Sequence, residues 1–153
     1  MSSPKPLKIA ALDEKDLNIV SAHVQDAVLK VGEVIWSPKQ RQLIMPMNRF
    51  AWENTLDRKA RRKGYERRRS VLHVDKVSGV QSSGIVLTDK TAVLSILTVV
   101  FDPLELPGGH INIVCAGDAM LRLEVECIEV RLTDLGGAWE ASMRPKHPVR
   151  GTL

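Results

Sequence analysis

In CIEVRLTDLGG (residues 127–137) the strand alternation of the preceding residues fails. Val125, Ile128, Leu132 and Leu135 fall at helical spacing, and Gly136–Gly137 stop the run. The stretch predicts a short C-terminal helix over about 127–135. That helix decides the class. Paired with a helix in the N-terminal half, it makes the chain an α+β domain around a mostly antiparallel sheet.

Working outward, HINIVCA (110–116) and AMLRLEVE (119–126) flank Gly117–Asp118 and predict a hairpin. Facing side chains must share a side of the sheet, so a two-residue loop would oppose Ile113 to Arg122. A three-residue loop at 117–119 instead pairs Cys115 with Leu121, Ile113 with Leu123 and Ile111 with Val125. Glu124 and Glu126 then form a polar strand face. AVLSILTVVF (92–101) is apolar at both parities and predicts a central strand covered on both faces. SVLHVDKV (70–77) predicts another strand, ended by SSG (82–84), with His73 toward solvent.

Nearer the N-terminus, VLKVGEVIW (28–36) and RQLIMPMNRFAW (41–52) predict a hairpin around SPKQ (37–40). Pro46 cannot donate to a ladder, so its strand is expected at an edge or bulged there. LKIAAL (7–12) predicts a first strand. Asp13 follows as a helix cap, and Leu17, Val20, Val24 and Ala27 fall on one face, predicting a helix over about 13–27. The result is a curved sheet or partial barrel of about seven strands carrying two helices. Residues 1–6 and 138–153 read as flexible ends around a single domain over 7–137.

The 153 residues suffice for one domain with a sizeable core, and aromatics at 4% make that core aliphatic. No apolar run approaches the ~20 residues that span a bilayer, and the first residues lack a signal-peptide pattern. These features point to a cytoplasmic protein with no membrane span. Cys115 and Cys127 form no disulfide framework or CxxC motif, and the four His residues are scattered. No nucleophile elbow, phosphate loop or dinucleotide fingerprint is present. The sequence therefore singles out no catalytic residue, no metal ligand and no cofactor, and leans away from an enzyme.

The net charge of +4 is uneven. Residues 58–69, RKARRKGYERRR, hold eight basic residues and one acid, whereas the remaining 14 basic and 17 acidic residues leave −3. Arg58, Lys59, Arg61, Arg62, Lys63, Arg67, Arg68 and Arg69 could neutralise phosphates, and Tyr65 could stack on an unpaired base. These residues are the candidate polyanion- or RNA-binding set, within a connecting segment over 57–70. The opposing interpretation is a solvated connection, helical over about 52–63 or without fixed structure.

LKIAALDEKDL, SAHVQDAVLKVGEV, NRFAWE (48–53), RRRSVL (67–72) and LRLEVECIEVRLTDLGGAW (121–139) resemble an uncharacterised domain-of-unknown-function family of small alphaproteobacterial proteins. The resemblance implies a small bacterial domain and brings no activity with it. The order of seven strands before a final helix also looks loosely like a pleckstrin-homology-like fold, although helix 13–27 departs from that pattern. The expected function is a protein-interaction module with an unknown protein partner, a homodimer through an edge strand being one form of it. The alternatives are polyanion or RNA binding by residues 58–69 and an enzyme with an unrecognised site.

Overall fold

The structure is a computed structural model that describes residues 6–50 and 67–136. The elements are β1 (Lys8–Ala11), α1 (Glu14–Val24), β2 (Val28–Lys30), a 3-10 turn (Val31–Glu33), β3 (Ile35–Ser37), β4 (Gln42–Phe50), β5 (Arg67–Val74), β6 (Val77–Ser83), β7 (Val93–Pro103), β8 (Gly109–Cys115), β9 (Ala119–Val125) and β10 (Val130–Asp134). Every pairing is antiparallel, in the order β1-β10-β5-β4-β2-β7-β8-β9-β6, with β3 alongside β4. The sheet does not close into a barrel.

The chain passes between the two halves of this sheet at corners. β5 runs into β6 across Asp75–Lys76, and β9 runs into β10 across 126–129. Backbone bonds from Asp75 to Glu129 (2.9 Å) and from Glu126 to Lys76 (3.0 Å) carry the pairing around the bend. Inward side chains of both halves, including Met45, Leu72 and Leu132 from one and Ile111, Ile113 and Leu123 from the other, join a single aliphatic core.

Helix α1 forms where its cap and apolar face require. The Asp13 carboxylate accepts from the Asp16 amide at 2.8 Å, while Leu17, Val20 and Val24 are buried against the sheet. Ser21 Oγ accepts from the Val99 amide at 2.8 Å, tying the helix to β7. The helix stops at Val24, short of the expected 27, because Asp26 adopts a left-handed φ of 65° and donates its amide to Ile96 (2.7 Å).

The C-terminal helix expected over 127–135 is absent, and this overturns the α+β assignment: the described chain is a ten-strand antiparallel sheet with one α-helix. Val130, Leu132 and Asp134 alternate inward in β10, which pairs with β1 on one side and β5 on the other. The corner at 126–129 shifts the apolar phase, so two strand segments mimic a helical period. Two flanking ladders and β-branched Val130 and Thr133 then favour the extended chain. The pleckstrin-homology-like order falls with that helix.

Other expectations are refined. The β8–β9 loop has three residues, as parity requires, but it is 116–118, so Cys115 faces Ala119 and Ile113 faces Leu121. β7 is covered on one face only: Leu94, Ile96, Val99 and Phe101 are buried while Val93, Leu97 and Val100 are exposed. β4 is neither an edge nor bulged. Its second flank is shared by β3, at 42–44, and β2, at Asn48, and Pro46 lies in the gap between them, where no ladder needs its missing N–H.

Candidate functional site

β4 places Leu43, Met45 and Met47 inward, and the same parity carries Arg49 inward. Its side chain is fully buried, as are Ser70 on β5 and Asp134 on β10. Arg49 Nη2 and Nε donate to the two Asp134 oxygens, each at 2.9 Å, and Nε also reaches Ser70 Oγ at 3.1 Å. Nη1 donates to the Phe50 carbonyl at 3.0 Å. Ser70 Oγ donates to Asp134 Oδ1 at 2.6 Å, and the Leu7 amide donates to Oδ2 at 2.8 Å. Burial alone would raise the Asp134 pKa. The bonds from Arg49, Ser70 and Leu7, with the Arg49 charge, outweigh it and hold the carboxyl below its ordinary value. The charges are mutually satisfied, so this is a clasp joining the N-terminal chain, β4, β5 and β10 rather than a reactive centre.

Of the residues singled out in the basic segment, Arg58, Lys59, Arg61, Arg62, Lys63 and Tyr65 lie outside the described residues. Arg67, Arg68 and Arg69 begin β5. Arg67 is exposed and stands over the Phe50 ring, 4.7 Å from its centroid. Arg69 is ion-paired with Glu33 and reaches Asn48 Oδ1 at 3.4 Å. Its charge is therefore partly spent within the domain.

Among the titrating side chains, burial pushes the Cys115 thiol up to about 11, which keeps it protonated at neutral pH. Both cysteines are free. His73 is not simply on the solvent face: it is half-buried, and its Nδ1 is buried without a hydrogen-bond partner among the described residues. Burial lowers its pKa, Arg131 pushes the same way, and Asp75 opposes them. His110 faces Asp102 on one neighbour strand and Glu124 on the other, and Glu124 accepts from Ser78 Oγ at 3.0 Å. The described residues contain no group of three or more His, Cys, Asp and Glu placed to hold a metal.

The open strand edges differ. β1 has four residues, with exposed Lys8, and Pro6 precedes it. β3 has three residues and is followed by Pro38. β6 has seven, VSGVQSS, without a charge or a proline. It pairs with β9 alone among the described strands. A register shift between Val77 and Gly79 is followed by a regular stretch, Gly79–Ser83, in which Val80 packs on the core and Gln81, Ser82 and Ser83 are exposed.

The family profile described as Protein of unknown function (DUF2948) matches residues 7–147. The chain belongs to this family. The match spans β1 to β10, the Arg49–Asp134 clasp and the β6 edge, so the family's domain contains both regions. No curated protein and no solved structure matches the chain significantly. No helix among the described residues is long and apolar enough to cross a membrane.

Sequence reasoning missed the clasp, although its signal was present: a charged residue continuing the inward parity of Leu43, Met45 and Met47 needs a buried partner.

Proposed function

We propose that the domain expected over 7–137 is a non-enzymatic protein-interaction module that recruits a strand at the free edge of β6. The observation that carries this reading is the contrast among the open edges. β1 and β3 are short and flanked or marked by proline and lysine, devices that discourage strand addition. β6 is longer, uncharged and free of proline, and beyond Val77, whose amide donates to the Arg41 carbonyl at 2.9 Å, its outer edge has no strand partner among the described residues. The free thiols suit the reducing cytoplasm in which we place it.

A photoreactive side chain introduced at Ser83, compared with one at Lys8 in the full chain in its native cells, tests the reading. Protein adducts, to any copy or partner, are expected at Ser83 and are expected to disappear in Gln81→Lys. Adducts at Lys8 alone, or at neither position, would overturn it.

A second reading, polyanion or RNA binding by residues 58–69, is supported by exposed Arg67, whose guanidinium stands over the Phe50 ring at the start of β5. It expects nucleic-acid binding that weakens steeply with salt and is lost when Arg61, Arg62, Arg67 and Arg68 become Ala, read by fluorescence anisotropy. Equal binding by both proteins would discard it.

A further inference from the structure

We infer that the strand recruited at the β6 edge is β6 of a second copy of this chain, paired antiparallel about a two-fold axis at Gln81. The inference rests on the strand-recruitment reading above and names its occupant.

Three observations carry it. The first is charge. In a two-fold antiparallel pair each residue meets the one equally far beyond the centre on the other copy, so a charged residue at the centre faces its like and one near it lies close to its like. None of the residues of VSGVQSS is charged, so the strand tolerates its own image. Lys8 would introduce repulsion into any comparable pairing of the short β1.

The second is register. Gly79, Gln81 and Ser83 face Glu124, Arg122 and Met120 on the outer side of the sheet, while Val80 and Ser82 face inward-pointing Leu123 and Leu121. A shared sheet requires like faces to meet, which restricts the axis to a residue or a same-face pair. The regular stretch after the bulge is Gly79–Ser83, and its centre is Gln81. An axis there uses the whole stretch: Gln81 meets Gln81 of the second copy, Val80 meets Ser82, and Gly79 meets Ser83.

The third is hydrogen bonding. A glutamine amide both donates and accepts, so a glutamine facing its own copy can bond to it, which a lysine or carboxylate pair cannot do. Arg122, the cross-strand neighbour of Gln81 within the chain, has its Nε donated to Asn112 Oδ1 at 3.0 Å. Joining the copies here extends β7-β8-β9-β6 into a continuous two-copy sheet. So short a strand pair falls below the roughly 1,200 Å² of a standard interface, so the dimer is weak and concentration-dependent.

Sedimentation of the purified full chain from micromolar to millimolar concentration, with disulfide trapping, tests this. The wild type is expected to dimerise with rising concentration and Gln81→Lys to remain monomeric. In a Cys127→Ser background, Gln81→Cys alone is expected to form a covalent dimer under copper-phenanthroline oxidation, because cross-strand partners lie within disulfide reach. Gly79→Cys and Ser83→Cys should each fail alone and link when mixed. A Cβ at Gly79 meets nothing within 4 Å, so that variant is sterically tolerated. A wild type that stays monomeric throughout, or a dimer that survives Gln81→Lys without trapping at position 81, overturns the inference. If the purified chain is monomeric yet Ser83 gives adducts to a different protein in cells, self-pairing fails while the strand-recruitment reading stands. If both are absent, both fail.

Discussion

Strand β1 ends the sheet with four residues, an exposed Lys8, and a backbone pinned through Leu7 to the buried Asp134 carboxylate; strand β6 ends it with seven uncharged residues, where the Val77 amide donates to the Arg41 carbonyl at 2.9 Å but no buried carboxylate among the described residues holds the stretch 79–83. The Leu7 carbonyl also accepts from the Asp134 amide at 2.8 Å, so the chain is fastened at both polar groups where it enters β1. Gln81, Ser82 and Ser83, by contrast, are exposed along their strand. The difference teaches where this sheet is rigid and where it can accept another chain. A buried, mutually satisfied ion pair makes one end costly to disturb, whereas substitutions of exposed residues on an unpaired edge cost little folding energy and act on association.

Breaking the clasp should have the largest effect. Asp134→Leu leaves the Arg49 guanidinium buried and unpaired, and about 3–5 kcal/mol of folding stability should be lost in urea denaturation. Adding Arg49→Met should recover part of that loss, because no orphaned charge is left. If Asp134→Leu costs no more than the double variant, the clasp is not the pin described here. Acid should act on the same group. The folded-state pKa of Asp134 lies below its unfolded value of 3.8, so its stabilisation is present above that value and is lost as pH falls through the folded pKa. Asp134→Asn should remove that part of the acid slope.

A smaller effect belongs to His73, on the face of β5 away from the core. Its pKa in the folded protein lies below 6.5, so the unfolded chain takes up a proton first. Stability is full above pH 6.5 and should decline as pH falls from there toward the folded pKa. His73→Gln should flatten that decline in pH-dependent thermal unfolding; an unchanged profile would assign the titration elsewhere. The smallest effect on folding is expected at the open edge. Gln81→Lys should change the stability of the monomer by less than about 0.5 kcal/mol, since it alters an exposed position. A large loss there would mean that β6 is structurally tied and would erase the contrast with β1.

Much of the sheet could be read from local pattern. The Asp13 cap and the Leu17–Val20–Val24 face located α1, and like-face pairing fixed the odd loop between β8 and β9, though not its position. The errors share a cause: local period does not report which partners a segment finds. Ile128, Leu132 and Leu135 have helical spacing only because a corner interrupts β9 and β10, and the ladders with β1 and β5 decide the outcome. The two-sided apolar pattern of β7 suggested double cover, yet Leu97 and Val100 are exposed. The candidate edge was invisible for the same reason. The pattern put residues 70–77 and their neighbours in one strand ended by SSG (82–84), whereas the chain turns at Asp75–Lys76 into a separate β6, and only the strand order makes that strand the end of the sheet.

Hydrogen–deuterium exchange of the full chain at low and high protein concentration, read over 79–83 and 8–11, compares the two ends most directly. Protection over 79–83 is expected to rise with concentration while that over 8–11 stays constant. Concentration-independent exchange over 79–83, or a rise confined to 8–11, would contradict an open, self-pairing β6.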